Sequence, residues 1–128
     1  MKQIVRTADS ELLYRRVADV SFGEQILRSG ALIEQTFGGL TSNLWDDPFE
    51  WTLPETLSTS DRLIDYLSEI DALRQTFFRS IANDEALSKY VSVPSGDPKR
   101  LIDLLMETLV RASDYRGRAV ATLKILSG

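Results

Sequence analysis

A chain of 128 residues, 43% hydrophobic and 27% charged, is long enough for one domain with its own core, and a net charge of −4 argues against general nucleic-acid binding. It holds neither cysteine nor histidine, which excludes a disulfide framework, a thiolate nucleophile, and the commonest metal ligand and neutral-pH base. No apolar run approaches the roughly 18 residues of a membrane span, and "MKQIVRTADSELLYRR" lacks the apolar centre of a signal peptide, so the expected setting is the cytoplasm, with no membrane partner.

The charge is uneven. Residues 31–98 carry 4 basic and 12 acidic side chains (−8), residues 99–128 carry 6 and 3 (+3), and residues 1–30 carry 5 and 4 (+1). A local positive site on an acidic protein is therefore expected from the two terminal segments.

Residues 1–20 offer only a short helix or two. The first long helix begins at "SFGE", where Ser21 and Glu24 form a capping box that satisfies two orphan N–H groups. Ile26, Gly30, Ile33, Phe37 and Leu40 recur on one face, and Gly38 or Gly39 in "FGGL" is the expected stop near residue 39. "TSNLWDDPFEWTLPETLS" follows as a connection whose Trp45, Phe49 and Trp51 pin it to the bundle or line a pocket mouth. A second helix spans residues 59–82, capped by Ser58, Thr59 or Ser60, with Leu63, Leu67, Ile70, Phe77 and Ile81 as its buried face. "DEALSKY" can hold a helical turn. A third helix, residues 97–126, opens with Asp97 as N-cap and Pro98 at the first helical position, and carries the stripe Leu101, Leu105, Thr108, Ala112, Tyr115, Ala119, Thr122 and Leu126. No strand pattern competes. The fold class is all-α, an up-down helical bundle in one domain, residues 1–128.

Gly117 stands inside the last helix between Arg116 and Arg118. A mid-helix glycine costs about 1 kcal/mol relative to alanine. Close approach to a neighbouring helix is the expected reason, and Gly117→Leu is expected to destabilise by about 1–3 kcal/mol through overpacking. At these residues a resemblance emerges. "YRGRAVATLKILSG" resembles the end of DinB/YfiT-like proteins, whose last helix reads His-x-x-x-His-Arg-Gly-Gln before an apolar stretch. "SFGEQILRSGA" resembles their second helix, Ser-x-Gly-Glu-x-x-x-His. The two motifs stand in the family's order, and the resemblance spans about residues 8–128.

The resemblance implies a four-helix bundle, often dimeric, with a divalent metal held by three histidines and thiol-dependent transferase or isomerase chemistry in its better-understood members. Carried over residue by residue, the histidine positions fall on Arg28, Arg111 and Tyr115. A guanidinium has no lone pair for a cation and two of them repel it, so no metal and no cofactor is expected. The family's first helix is also short here, which would leave an apolar groove that a homodimer could cover.

Three readings follow. A binding module would converge Arg28, Arg111 and Tyr115 on a small carboxylate, phosphate or sulfate, since guanidinium binds such anions bidentately. Against it, Glu24 and Glu107 stand four residues before the two arginines, at salt-bridge spacing. A divergent thiol-dependent transferase would need a base, and only Asp114 and Glu24 lie near the motifs. A structural dimeric remnant of the family needs no pocket.

Overall fold

The computed structural model describes residues 1–18, 20–46, 56–94 and 96–127. Phe49 and Trp51, read above as packing residues, lie outside them. Four α-helices carry the described chain: α1 (Lys2–Arg6), α2 (Phe22–Ser42), α3 (Ser60–Ser80) and α4 (Leu101–Leu126). The fold is mostly helical, as the periodicity predicts.

The helix starts follow from capping. Ser21 takes extended φ/ψ and its side chain accepts from the Glu24 N–H, while Thr59 accepts from the Arg62 N–H. The Glu24 carboxylate does not return to the cap as the box pattern implies; it holds Arg16 at 2.9 Å. Helix α2 runs through Gly38 and Gly39 and stops at Asn43, which adopts the left-handed conformation (φ 57°) and is followed by a Leu44 N–H bond to the Gly38 carbonyl at 3.2 Å. The expected stop at "FGGL" is thus displaced by three residues. The reason is packing: the Trp45 indole folds back onto Gly39, where a Cβ would collide with it.

The start of the last helix is also corrected. Asp97 and Pro98 stand outside α4, whose N-cap is Arg100. Lys99–Arg100 is an extended strand, β4, paired antiparallel with Tyr90–Val91, β3, and the Leu101 N–H reaches the Lys89 carbonyl at 2.8 Å. This pairing spans a loop and leaves no local periodicity. A second two-residue pair, β1 (Arg16–Val17) with β2 (Val20–Ser21), leads into α2. Strands therefore exist where none was expected, each only two residues long. "DEALSKY" does hold a turn, a 3₁₀ segment over Asp84–Ser88.

Helix α2 is the centre. Ser29 Oγ donates to the Ala112 carbonyl at 2.7 Å and Thr36 meets Thr108 at 2.6 Å, so α2 and α4 run antiparallel. Gly30 faces Tyr66, Leu67 and Ile70, whereas Phe37 packs on Phe77 at 5.3 Å, so α2 and α3 run in the same direction. Strict up-down alternation is broken at this connection.

The main core joins Val5 of α1 and Leu13 with Phe22, Ile26, Leu27 and Leu63, all fully buried. A smaller cluster of Phe37, Phe77 and Leu101 closes the other end. Gly117 belongs to neither. It is exposed, and among the described residues nothing stands within 4 Å of where its Cβ would be. The expected close approach is absent there among the described residues, and Gly30 is a glycine that does support helix crossing.

Candidate functional site

A cavity of about 420 Å³ opens between α2 and α4. Helical spacing brings Leu32, Gln35 and Thr36 to it from α2, and Leu104, Glu107, Thr108 and Arg111 from α4. Trp45 and Lys99 close its sides. Two loops position them. The left-handed turn at Asn43 sends Trp45 back over α2, where Asn43 Oδ1 accepts from the indole N–H at 3.0 Å and Gln35 Nε2 donates to the Trp45 carbonyl at 2.7 Å. The β3–β4 pair brings Lys99 beside α4, where its Nζ bonds Glu107 Oε2 at 2.7 Å.

The hydroxyls on the wall are already committed. Thr108 Oγ1 donates to the Leu104 carbonyl at 3.0 Å, so its 2.6 Å contact with Thr36 is one in which Thr36 donates. Both threonines are buried. The wall thus presents two charges of opposite sign that cancel, Lys99 and Glu107, and one that does not. Arg111 has no ion-pair or hydrogen-bond partner among the described residues.

The expected salt bridges of Arg28 and Arg111 with the glutamates four residues before them are not the ones formed. Glu24 pairs with Arg16 and Glu107 with Lys99, both cations supplied from outside the helix that carries the acid. Arg28 is exposed on α2, one turn before Leu32, and is not among the residues lining the cavity. Tyr115 is half-buried one turn beyond Arg111, with the Arg118 guanidinium 5.3 Å over its ring, and it also stands outside the lining. Arg118 in turn bonds Asp114 at 2.8 Å. Of the three residues singled out by sequence, the cavity takes Arg111 alone.

Sequence reading missed Lys99, Gln35, Thr36 and Glu107 as lining residues. Thr108 was legible only as a member of an apolar stripe, and a buried threonine there is itself a signal, since its hydroxyl needs a partner. Lys99 carried no signal, because a long-range strand pair places it. Trp45 does stand at the pocket mouth, one of the two roles open to it.

Arg28, Arg111 and Tyr115, the positions that the resemblance would assign to a metal, do not suit one. Two are guanidinium groups, and a tyrosine oxygen is a poor ligand while protonated. Among the described residues no cluster of three His, Cys, Asp or Glu side chains could hold a cation, and no helix is long and apolar enough to cross a membrane. No family model, curated protein or solved structure matches this chain.

Proposed function

We propose that this protein is a metal-independent, DinB-like module that binds a small anion in the cavity between α2 and α4. Arg111 is the anchor, and Arg28 and Tyr115, one helical turn from the lining residues Leu32 and Arg111, would receive the outer part of a larger ligand. The observation that carries the reading is the exposed Arg111 guanidinium, which lines this open cavity yet has no partner there among the described residues. With Lys99 and Glu107 cancelling, the wall carries one net positive charge (two cations less one anion). A guanidinium offers a planar fork to carboxylate, phosphate or sulfate, and a charge-assisted bond of that kind is worth about 1.5–3 kcal/mol.

Thermal melts test it with sodium acetate, phosphate and sulfate against sodium chloride at matched ionic strength. At least one of the three should raise the melting temperature of the parent beyond chloride, and Arg111→Met should abolish that difference. Equal shifts in parent and variant, or no shift with any of the three, would overturn the reading.

A homodimer accompanies this reading, favoured by a separate observation. Met106, Leu109 and Val110 on α4 are each more than half exposed, at 51%, 58% and 64%. Large apolar side chains in sequence on one helix face leave water badly placed and suit a protein partner.

A further inference from the structure

The cavity between α2 and α4 is much larger than the anion that Arg111 would hold. Its volume of about 420 Å³ falls in the range of small-molecule pockets, whereas one water takes about 30 Å³ of the liquid. A carboxylate seated on Arg111 leaves most of that space to the rest of its molecule.

The cavity is graded along the helices. Ser29 meets Ala112 and Thr36 meets Thr108, so Arg111 stands about level with Leu32. Trp45 is tied further along α2, its carbonyl to Gln35 and its ring against Gly39. At 1.5 Å per residue those two levels lie roughly 5–10 Å beyond Leu32. Leu104, about two turns before Arg111 on α4, stands in the wall with the indole, as do Val93 and Pro94. A cationic end and an apolar end are thus one short molecule apart.

The indole is a fixed panel. Its N–H donates to Asn43 Oδ1 at 3.0 Å, and three of its ring carbons occupy the place of a Gly39 Cβ. A ring already held in place loses little freedom when a second ring packs on it. It offers carbon, and flat aromatic partners gain from its π-system beyond their buried area. Thr36 and Thr108 spend both hydroxyl protons inside the protein, so they donate nothing to the middle of a ligand.

Charge sets the head group. Glu107 stands one turn before Arg111 and is bonded to Lys99 at 2.7 Å. The lining carries one net positive charge, and a second negative charge on the ligand would meet Glu107. A carboxylate is planar and singly charged at neutral pH, which suits one guanidinium fork. A phosphate monoester carries more charge than the wall can balance.

From these features we propose that the ligand is an aromatic monocarboxylate, with its carboxylate on Arg111 and its ring packed on the Trp45 indole. This rests on the anion-binding reading and names the ligand class of that site.

Trp45 is the one tryptophan of a Trp51→Phe protein, so its emission reports binding at this wall. The probes are phenylacetate, its neutral isostere phenylacetamide, its saturated analogue cyclohexylacetate, phenyl phosphate and acetate. Phenylacetate should move the emission and bind about tenfold tighter than acetate or phenylacetamide. Arg111→Met, at an exposed position that should leave folding intact by circular dichroism, should weaken phenylacetate by about tenfold. Acetate that binds as tightly as phenylacetate, with both lost in Arg111→Met, would overturn the aromatic ligand and leave the anion reading standing. Tighter binding of cyclohexylacetate would overturn the ring, and tighter binding of phenyl phosphate would overturn the single charge. Phenylacetate that ignores Arg111→Met would overturn the proposal and send the ring elsewhere, as to the apolar groove between α3 and α4 floored by Ile33 and Phe37. The anion reading would fall with it only if acetate ignored the substitution too. Binding by none of the five would overturn the proposal, while the melts with phosphate and sulfate judge the anion reading separately.

Discussion

Gly39 and Gly117 sit in long helices in opposite surroundings, and among the described residues nothing stands within 4 Å of a Cβ at Gly117. At Gly39 the missing side chain is filled from within, by the Trp45 indole. Replacing it by alanine would gain up to about 1 kcal/mol of helix propensity. The new methyl must displace a ring held by two hydrogen bonds, through its N–H to Asn43 and through the Trp45 carbonyl to Gln35. Overpacking of that kind costs about 1–3 kcal/mol, so loss should win. Gly39→Ala in a Trp51→Phe background should therefore melt at lower temperature, with tryptophan emission shifted to the red as the indole leaves the cavity wall. Unchanged emission and an unchanged melt would show that the indole does not depend on the glycine. A residue-level rule that reads Gly-Gly as a helix stop fails here because it prices the backbone and cannot see the ring that needs the space.

Elements were legible where the signal was local. Ser21 and Thr59 both cap, and the stripes Ile26–Gly30–Phe37 and Leu63–Leu67–Ile70 are buried as their spacing requires. The start of α4 was not legible, because Asp97–Pro98 is a sound local cap pattern overruled by pairing of Lys99–Arg100 with Tyr90–Val91. The same long-range pair hides Lys99 from a sequence reading of the site, whereas Arg111 could be found from its position in the last helix. The capping arrangement makes a sharp prediction. Ser21 is fully buried and its oxygen serves the Glu24 N–H, so Ser21→Ala leaves that donor unpaired away from water. A loss of about 1–2 kcal/mol in urea unfolding is expected. Glu24→Ala should cost at most about 1 kcal/mol, because its carboxylate makes an ion pair with the exposed Arg16 instead of closing the box. Equal losses for the two would mean that the box is reciprocal after all.

The molecule as a whole is built unevenly along its length. Among the described residues, one end joins α1, the first halves of α2 and α3, and the second half of α4 in a cluster of eleven buried residues, while the other end holds three, Phe37, Phe77 and Leu101. Helices α3 and α4 are held chiefly by α2 between them, with the apolar groove open at the thin end. Regions with few buried contacts open locally at a free energy well below that of global unfolding. Native-state hydrogen exchange should therefore find the amides of residues 74–80 and the first turns of α4 less protected than those of residues 63–70 and those around Ala119. The homodimer proposed above is read from the exposed Met106, Leu109 and Val110 at this end of α4, so protection there should also depend on protein concentration. Amides of the thick end should not respond. Uniform protection along α3 would mean that the two clusters open as one, and protection at the thin end that ignores a hundredfold change in concentration would mean that no second copy covers the exposed side chains of α4.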